Sequence, residues 1–144
     1  MVDEGRVARL LRGITDRSAR LHAAAATRDE THDPLWLDGV KYLFVTIIEG
    51  CVDVAHHLAA SEKWRAPDSN AEALRAMGER GVIDTELAVQ LASAVGFRNV
   101  LVHQYAVVDD DIVLAVLDRI DEFDRFVAAT SAWVLQQGHV PGDR

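Results

Sequence analysis

PLWLDGVKYLFVTIIEGCVDVAHHLAA, residues 34–60, is the stretch from which the architecture follows. Asp33-Pro34 is a strong helix start: aspartate can accept from the free amides of the first turn, and proline at the first helical position forfeits no hydrogen bond. Leu35, Leu37, Val40, Leu43, Phe44, Ile47, Ile48, Val52, Ala55 and Leu58 follow at helical spacing. They are too many for one narrow stripe, so this helix should be covered on more than one side and stand at the centre of a bundle. Its apolar run is interrupted by Glu49, Asp53, His56 and His57.

Helical periodicity continues on both sides. Residues 3 to 26 read as a first helix with Val7, Leu10, Leu11, Ile14 and Leu21 on its apolar face. Arg6, Arg9, Arg17 and Arg20 run beside that face, either as a solvated flank whose stems cover apolar surface or as a surface for RNA backbone or an acidic partner. Residues 61 to 69 are a loop, and Ser69-Asn70-Ala71-Glu72 offers a capping box for a short third helix closed by Gly78 or Gly81. A fourth helix starts at Asp84 and runs through Leu87, Leu91, Ala94 and Val95 into Leu101. After a connection at 106–111, in which three successive aspartates can cap, a single fifth helix is predicted up to Gly138. Val113, Val116, Leu117, Ile120, Phe123, Val127 and Val134 form its apolar face, with Asp118, Arg119, Asp121, Glu122, Asp124 and Arg125 toward solvent. The expected fold is all-α: one domain over residues 1–144, an antiparallel bundle of four long helices plus one short helix.

Composition narrows the function classes. A chain of 144 residues can bury one substantial core, and 49% apolar content with 6% aromatics and three prolines favours packed helices over a turn-rich β sandwich. The formal net charge of −8 speaks against a general nucleic-acid binder, because non-specific affinity for phosphate backbones comes from many cationic contacts. Any RNA chemistry must therefore rest on local positive charge. MVDEGRVARLL does not read as a secretory signal, and the apolar run around Tyr42 to Ile48 is too short to span a bilayer, so a cytoplasmic, non-membrane protein is expected. The lone Cys51 supports no disulfide and reads as a small core residue.

The chemistry concentrates in FRNVLVHQY, residues 97–105. On a helix Asn99 and His103 share a face and Arg98 and Tyr105 lie nearly in line, which predicts one compact polar patch. The patch offers a permanent cation, an imidazole, an amide and a phenol. Arginine-to-histidine spacing alone is weak, since Arg17 and His22 show it too; the longer R-N-x-L-x-H-x-Y pattern is confined to residues 98–105. RNA carries its own nucleophile in the ribose 2′-hydroxyl, so cleavage needs a base, a cation and alignment, and no metal. His103 suits proton transfer at the 2′ or 5′ oxygen, and Arg98 suits clamping the phosphate. One chain supplies one histidine to the patch, so a homodimer facing two copies of this helix would complete an acid and base pair.

This segment resembles the HepT-like toxins of the HEPN superfamily, whose R-x4-H-x-Y motif is matched by Arg98, His103 and Tyr105. The E-x3-D-x-A-x-H run from Glu49 to His57 looks like the second helix of the same family. The resemblance implies a homodimeric, metal-independent endoribonuclease toxin with its site in the dimer cleft, releasing 2′,3′-cyclic phosphate and 5′-hydroxyl ends. It implies Arg98 and His103 as catalytic residues, Asn99, Glu49 and Asp53 as supporting ones, and no cofactor. It also implies a cognate MntA-type nucleotidyltransferase antitoxin that neutralises the toxin by AMPylation of Tyr105, setting negative charge where RNA phosphate must sit. Three alternatives stay open: a non-catalytic helical partner of a nucleotidyltransferase; a structural bundle with an incidental buried histidine; and a metal site using Glu49 with Asp53, or Asp53 with His57, which needs a third ligand from elsewhere.

Overall fold

The computed structural model describes residues 2–30, 33–103 and 108–138. The described residues form six α-helices and no strand: α1 (Glu4–Ala26), α2 (Pro34–Ser61), α3 (Asn70–Glu79), α4 (Thr85–His103), α5 (Asp110–Val116) and α6 (Asp121–Gly138). Four are long, as the periodicity predicts, but the short ones are two.

The starts are set by the side chains that the sequence offers. Asp3, Asp33, Ser69 and Asp109 each accept from a backbone amide at the head of α1, α2, α3 and α5. Asp84 does the same for Leu87 in α4. In α3 the box closes one residue early, with Glu72 Oε2 accepting from the Asp68 amide at 3.0 Å.

The central position of α2 holds: α1, α3, α4 and α6 all pack against it. Phe44, Ile47, Val54, Ala55 and Leu58 are fully buried along its length. At ~25 cal/mol per Å² of apolar surface, such burial is the main stabilising term of the bundle. By length and composition α2 could cross a membrane, with a mean hydropathy of 1.4 over an 18-residue window. Here 56% of that window is buried inside the bundle, so the apolarity is accounted for by helices covering α2 on several sides.

Two close approaches shape the packing around the site. A Cβ at Gly50 would stand 3.0 Å from Ile14 Cγ1, so α1 lies tightly over α2 there. A Cβ at Gly78 would come within 2.6 Å of Ala88 Cβ, where α3 meets α4. Gly81, with φ +76°, then turns the chain from α3 toward α4.

The predicted fifth helix is broken. α5 passes into a 3-10 turn, Leu117–Arg119, before α6 begins. Leu117 and Ile120, both buried, stand three residues apart across the turn, and Phe123 and Phe126, also buried, follow within α6. The break turns Glu122 inward as well. Expected on the solvent face, it is 7% exposed, with Oε1 accepting from Arg119 Nε at 2.8 Å. Asp124 accepts from Ser18 Oγ and pairs with His22 Nε2 at 2.8 Å, tying α6 to α1.

Gly78→Ala should destabilise the fold by about 1–3 kcal/mol, because the added methyl overlaps Ala88 where neither backbone can yield freely. Urea denaturation will show the loss, whereas an unchanged midpoint would mean that the two helices stand farther apart.

Candidate active site

Phe97 packs edge-on against Phe44, with ring centroids 5.7 Å apart and planes at 81°. This contact between α4 and the buried middle of α2 fixes the rotation of α4 and turns Arg98 toward α2. Arg98 Nη2 donates to Glu49 Oε1 at 2.7 Å, and Nη1 donates to Asn99 Oδ1 at 3.1 Å. The Arg98 side chain is 24% exposed; its Nε is buried and has no partner among the described residues. A second N–H on each Nη remains for a ligand.

Glu49 therefore stands where the sequence reading placed it, at the side of Arg98. Asp53 does not bond to Arg98. It lines the same cavity and has no hydrogen-bond or ion-pair partner among the described residues.

The expected single polar patch is split in two. Arg98 is half-buried against α2, whereas Asn99 and His103 are exposed. Helical geometry is the reason: five residues at ~100° each put His103 about 140° around α4 from Arg98, and at ~1.5 Å per residue about 7.5 Å along it. His103 is the last residue of α4. Tyr105 lies outside the described residues.

Two depressions adjoin this site. One, of about 290 Å³, lies between α2 and the α3–α4 pair, walled by Glu49, Val52, Asp53, His56, Asn70 and Arg98 among others. His56 Nε2 and Asn70 Oδ1 are 2.9 Å apart across it. Neither was singled out for a role by the motif, and only the return of α3 against α2 brings them together; histidine on the site side of α2 was the one available signal. The other depression, of about 270 Å³, lies between α1 and α2 and includes Arg9, Gly13, Arg17, Thr46, Glu49 and Asp53. Glu49 and Asp53 are thus a shared ridge, with Arg98 on one flank and two arginines of the α1 stripe on the other. Arg6 and Arg20 are exposed and line neither.

Two of the three residues of the metal alternative are engaged elsewhere: Glu49 is paired with Arg98, and His57 Nε2 accepts from the Asp3 amide at 3.3 Å, joining the head of α1 to α2, whereas Asp53 is unbonded among the described residues. Another grouping, His22, Asp121 and Asp124, is exposed and lies between α1 and α6, and its closest pair is the tie described above. The Cys51 thiol is buried, and burial raises its pKa well above the ordinary thiol range, as befits an inert core residue.

Glu49→Ala should lower stability by about 1 kcal/mol, between the small worth of exposed ion pairs and the larger loss when a buried one is broken. Thermal unfolding measures this, and Glu49→Gln, which keeps an acceptor for Arg98, should recover part of the loss.

Comparison with known proteins shows the family and the fold. The chain is 34% identical over 102 residues to a protein of Archaeoglobus fulgidus named "Putative RNase", covering 69% of this chain and 75% of that one. It is 28% identical over 85 residues to the "mRNA nuclease HepT" of Shewanella oneidensis, covering 58% and 64% respectively. In fold it is similar to the tri-AMPylated Shewanella oneidensis HEPN toxin solved in complex with MNT antitoxin, with TM-score 0.81, 23% identity, and coverage of 92% of this chain and 99% of that one. A family model described as "Ribonuclease HepT-like" matches residues 11–130. With that match over most of its length and a relative 34% identical, the chain belongs to the HepT-like ribonuclease family.

Proposed function

We propose that this protein is a metal-independent endoribonuclease, the toxin of a toxin-antitoxin pair, acting on RNA in the cytoplasm as a homodimer. The observation that carries the reading is the pairing of Arg98 with Glu49. It holds a guanidinium at a fixed place on the surface of an otherwise acidic protein while leaving N–H groups free for phosphate oxygens. The Arg9 and Arg17 groove beyond the Glu49–Asp53 ridge supplies the local positive charge that the net charge of −8 denies the protein as a whole.

In the proposed reaction the 2′-oxygen attacks phosphorus, its proton passes to the His103 imidazole, and the bond to the 5′-oxygen breaks. The departing oxygen takes a proton from the same imidazole of a second copy. Arg98 offsets the charge gathering on the phosphoryl oxygens. A second copy is needed because the reaction takes one imidazole as base and another as acid, and each chain supplies a single His103. Val100 and Val102, beside His103, are 43% and 40% exposed and give such a contact apolar surface to cover. Asn99 orients Arg98 through its side-chain oxygen.

The nucleotidyltransferase partner is proposed on family grounds: solved relatives of this fold include a toxin-antitoxin complex named MntA-HpeT. Transfer of AMP to Tyr105 would set a phosphate beside the RNA path and repel the substrate.

Arg98→Ala and His103→Ala should each reduce RNA cleavage by at least ~100-fold while circular dichroism and oligomeric state stay unchanged. Cleavage that survives both changes rejects the mechanism, and a protein that binds a nucleotidyltransferase yet never cuts RNA is a docking partner instead. Chelator should have no effect; loss of activity with chelator would bring back the Glu49 and Asp53 metal site. With a cognate MntA-type enzyme and ATP, the wild-type protein should gain the mass of adenylyl groups and Tyr105→Phe should gain none.

A further inference from the structure

The cavity beside Arg98 has a chemistry that phosphate binding does not explain. It extends from Arg98 toward Val95, along the start of α4, whereas His103 lies in the opposite direction. A phosphate held by Arg98 would thus have the histidine on one side and this cavity on the other. Glu49 and Asp53 both face into it, and two carboxylates oppose a second phosphate there. What they favour is a neutral group rich in N–H donors.

Hydrogen-bonding capacity narrows that group further. Glu49 Oε1 is engaged by Arg98, but both oxygens of Asp53 are free among the described residues and can only accept. Asn70 has its oxygen on His56, which leaves its two amide N–H groups to donate. Val52 and Val95 supply an apolar wall. At about 290 Å³ the space is large enough to admit a single base.

We propose that this cavity is a nucleobase subsite that selects guanine in the nucleotide next to the phosphate held by Arg98; as a feature of cleavage, this rests on the ribonuclease reading above. Guanine presents N1–H and N2–H₂ side by side, which matches the two oxygens of Asp53, and a 6-carbonyl oxygen to accept from Asn70. Adenine and cytosine set an amino group beside a ring acceptor, and uracil has one N–H between two carbonyls. None of these offers a carboxylate two adjacent donors. Single-stranded RNA is read in this manner, with unstacked bases bonded along the Watson–Crick edge. His56 acts as a positioning residue, holding the Asn70 amide so that its N–H groups face the cavity.

The test is binding of guanosine, inosine and cytidine to the full-length protein, by calorimetry or by NMR. Inosine is guanosine without the 2-amino group. Guanosine should bind about tenfold or more tighter than either, the discrimination that a bidentate base contact provides, and Asp53→Asn should remove the difference. Equal affinities, no measurable guanosine binding, or a preference that persists in a folded Asp53→Asn protein would overturn the proposal. The wild-type comparison decides even if the variant does not fold. Cleavage of RNAs bearing guanosine or inosine beside the cut, run in parallel, separates the two claims. Cleavage indifferent to that replacement overturns the subsite alone; guanosine selectivity in a protein that cuts no RNA supports the subsite and overturns the ribonuclease reading.

Discussion

Everything at the site depends on one ion pair, Arg98 on α4 with Glu49 on α2. Its worth to the stability of the bundle is small, since Glu49 is 44% exposed and solvent weakens the attraction. Its effect on geometry is larger. An unpaired arginine on a helix surface samples many rotamers, and a substrate phosphate would have to order it at the moment of binding. With Glu49 on one Nη and Asn99 on the other, that ordering is done by the fold.

The pair exists because the apolar packing beneath it is rigid. Phe97 adjoins Arg98 in sequence and abuts Phe44, which has no exposed surface. Gly50 follows Glu49 and lets Ile14 of α1 press against α2. Both partners of the ion pair are therefore carried by helix segments whose positions are determined by close-packed neighbours, where shifts of an ångström are expensive. The same contacts put the α1 arginines on the far side of the Glu49–Asp53 ridge. A chain with a net charge of −8 thus carries cations on two flanks of one acidic ridge, so its positive charge is local although its overall charge is negative.

The broken fifth helix serves the same end. By turning Leu117, Ile120, Phe123 and Phe126 inward together, the 3-10 turn brings α6 against α1, α2 and α4. Glu122 comes inward with them, and Arg119 neutralises it. Ser18 and His22 meet Asp124 on the opposite edge of α6. The face of α4 that bears Asn99 and His103 is left exposed.

Much of the fold could be read from the chain itself, because helix starts and helical faces are local properties. Asp33-Pro34, Ser69 with Glu72, and Asp84 announce their helices through hydrogen bonds spanning two to four residues, and the excess of apolar positions in 34–60 requires a helix covered on several sides. The helical placement of residues 97–103 was legible for the same reason, and the resemblance pointed to Glu49 on the adjacent helix. The rotation of α4 was not, since Phe44 and Phe97 lie far apart in sequence. That rotation turned Arg98 toward α2 and left His103, about 140° farther around α4, exposed. The break at Leu117 was hidden because its apolar residues satisfy a helix of 3.6 residues per turn almost as well as one of three. His56 and Asn70, fourteen residues apart on different helices, became neighbours only when α3 folded back along α2. Local hydrogen bonds and periodicity determined which segments are helices; which side chains share a cavity was decided by how those helices close-pack.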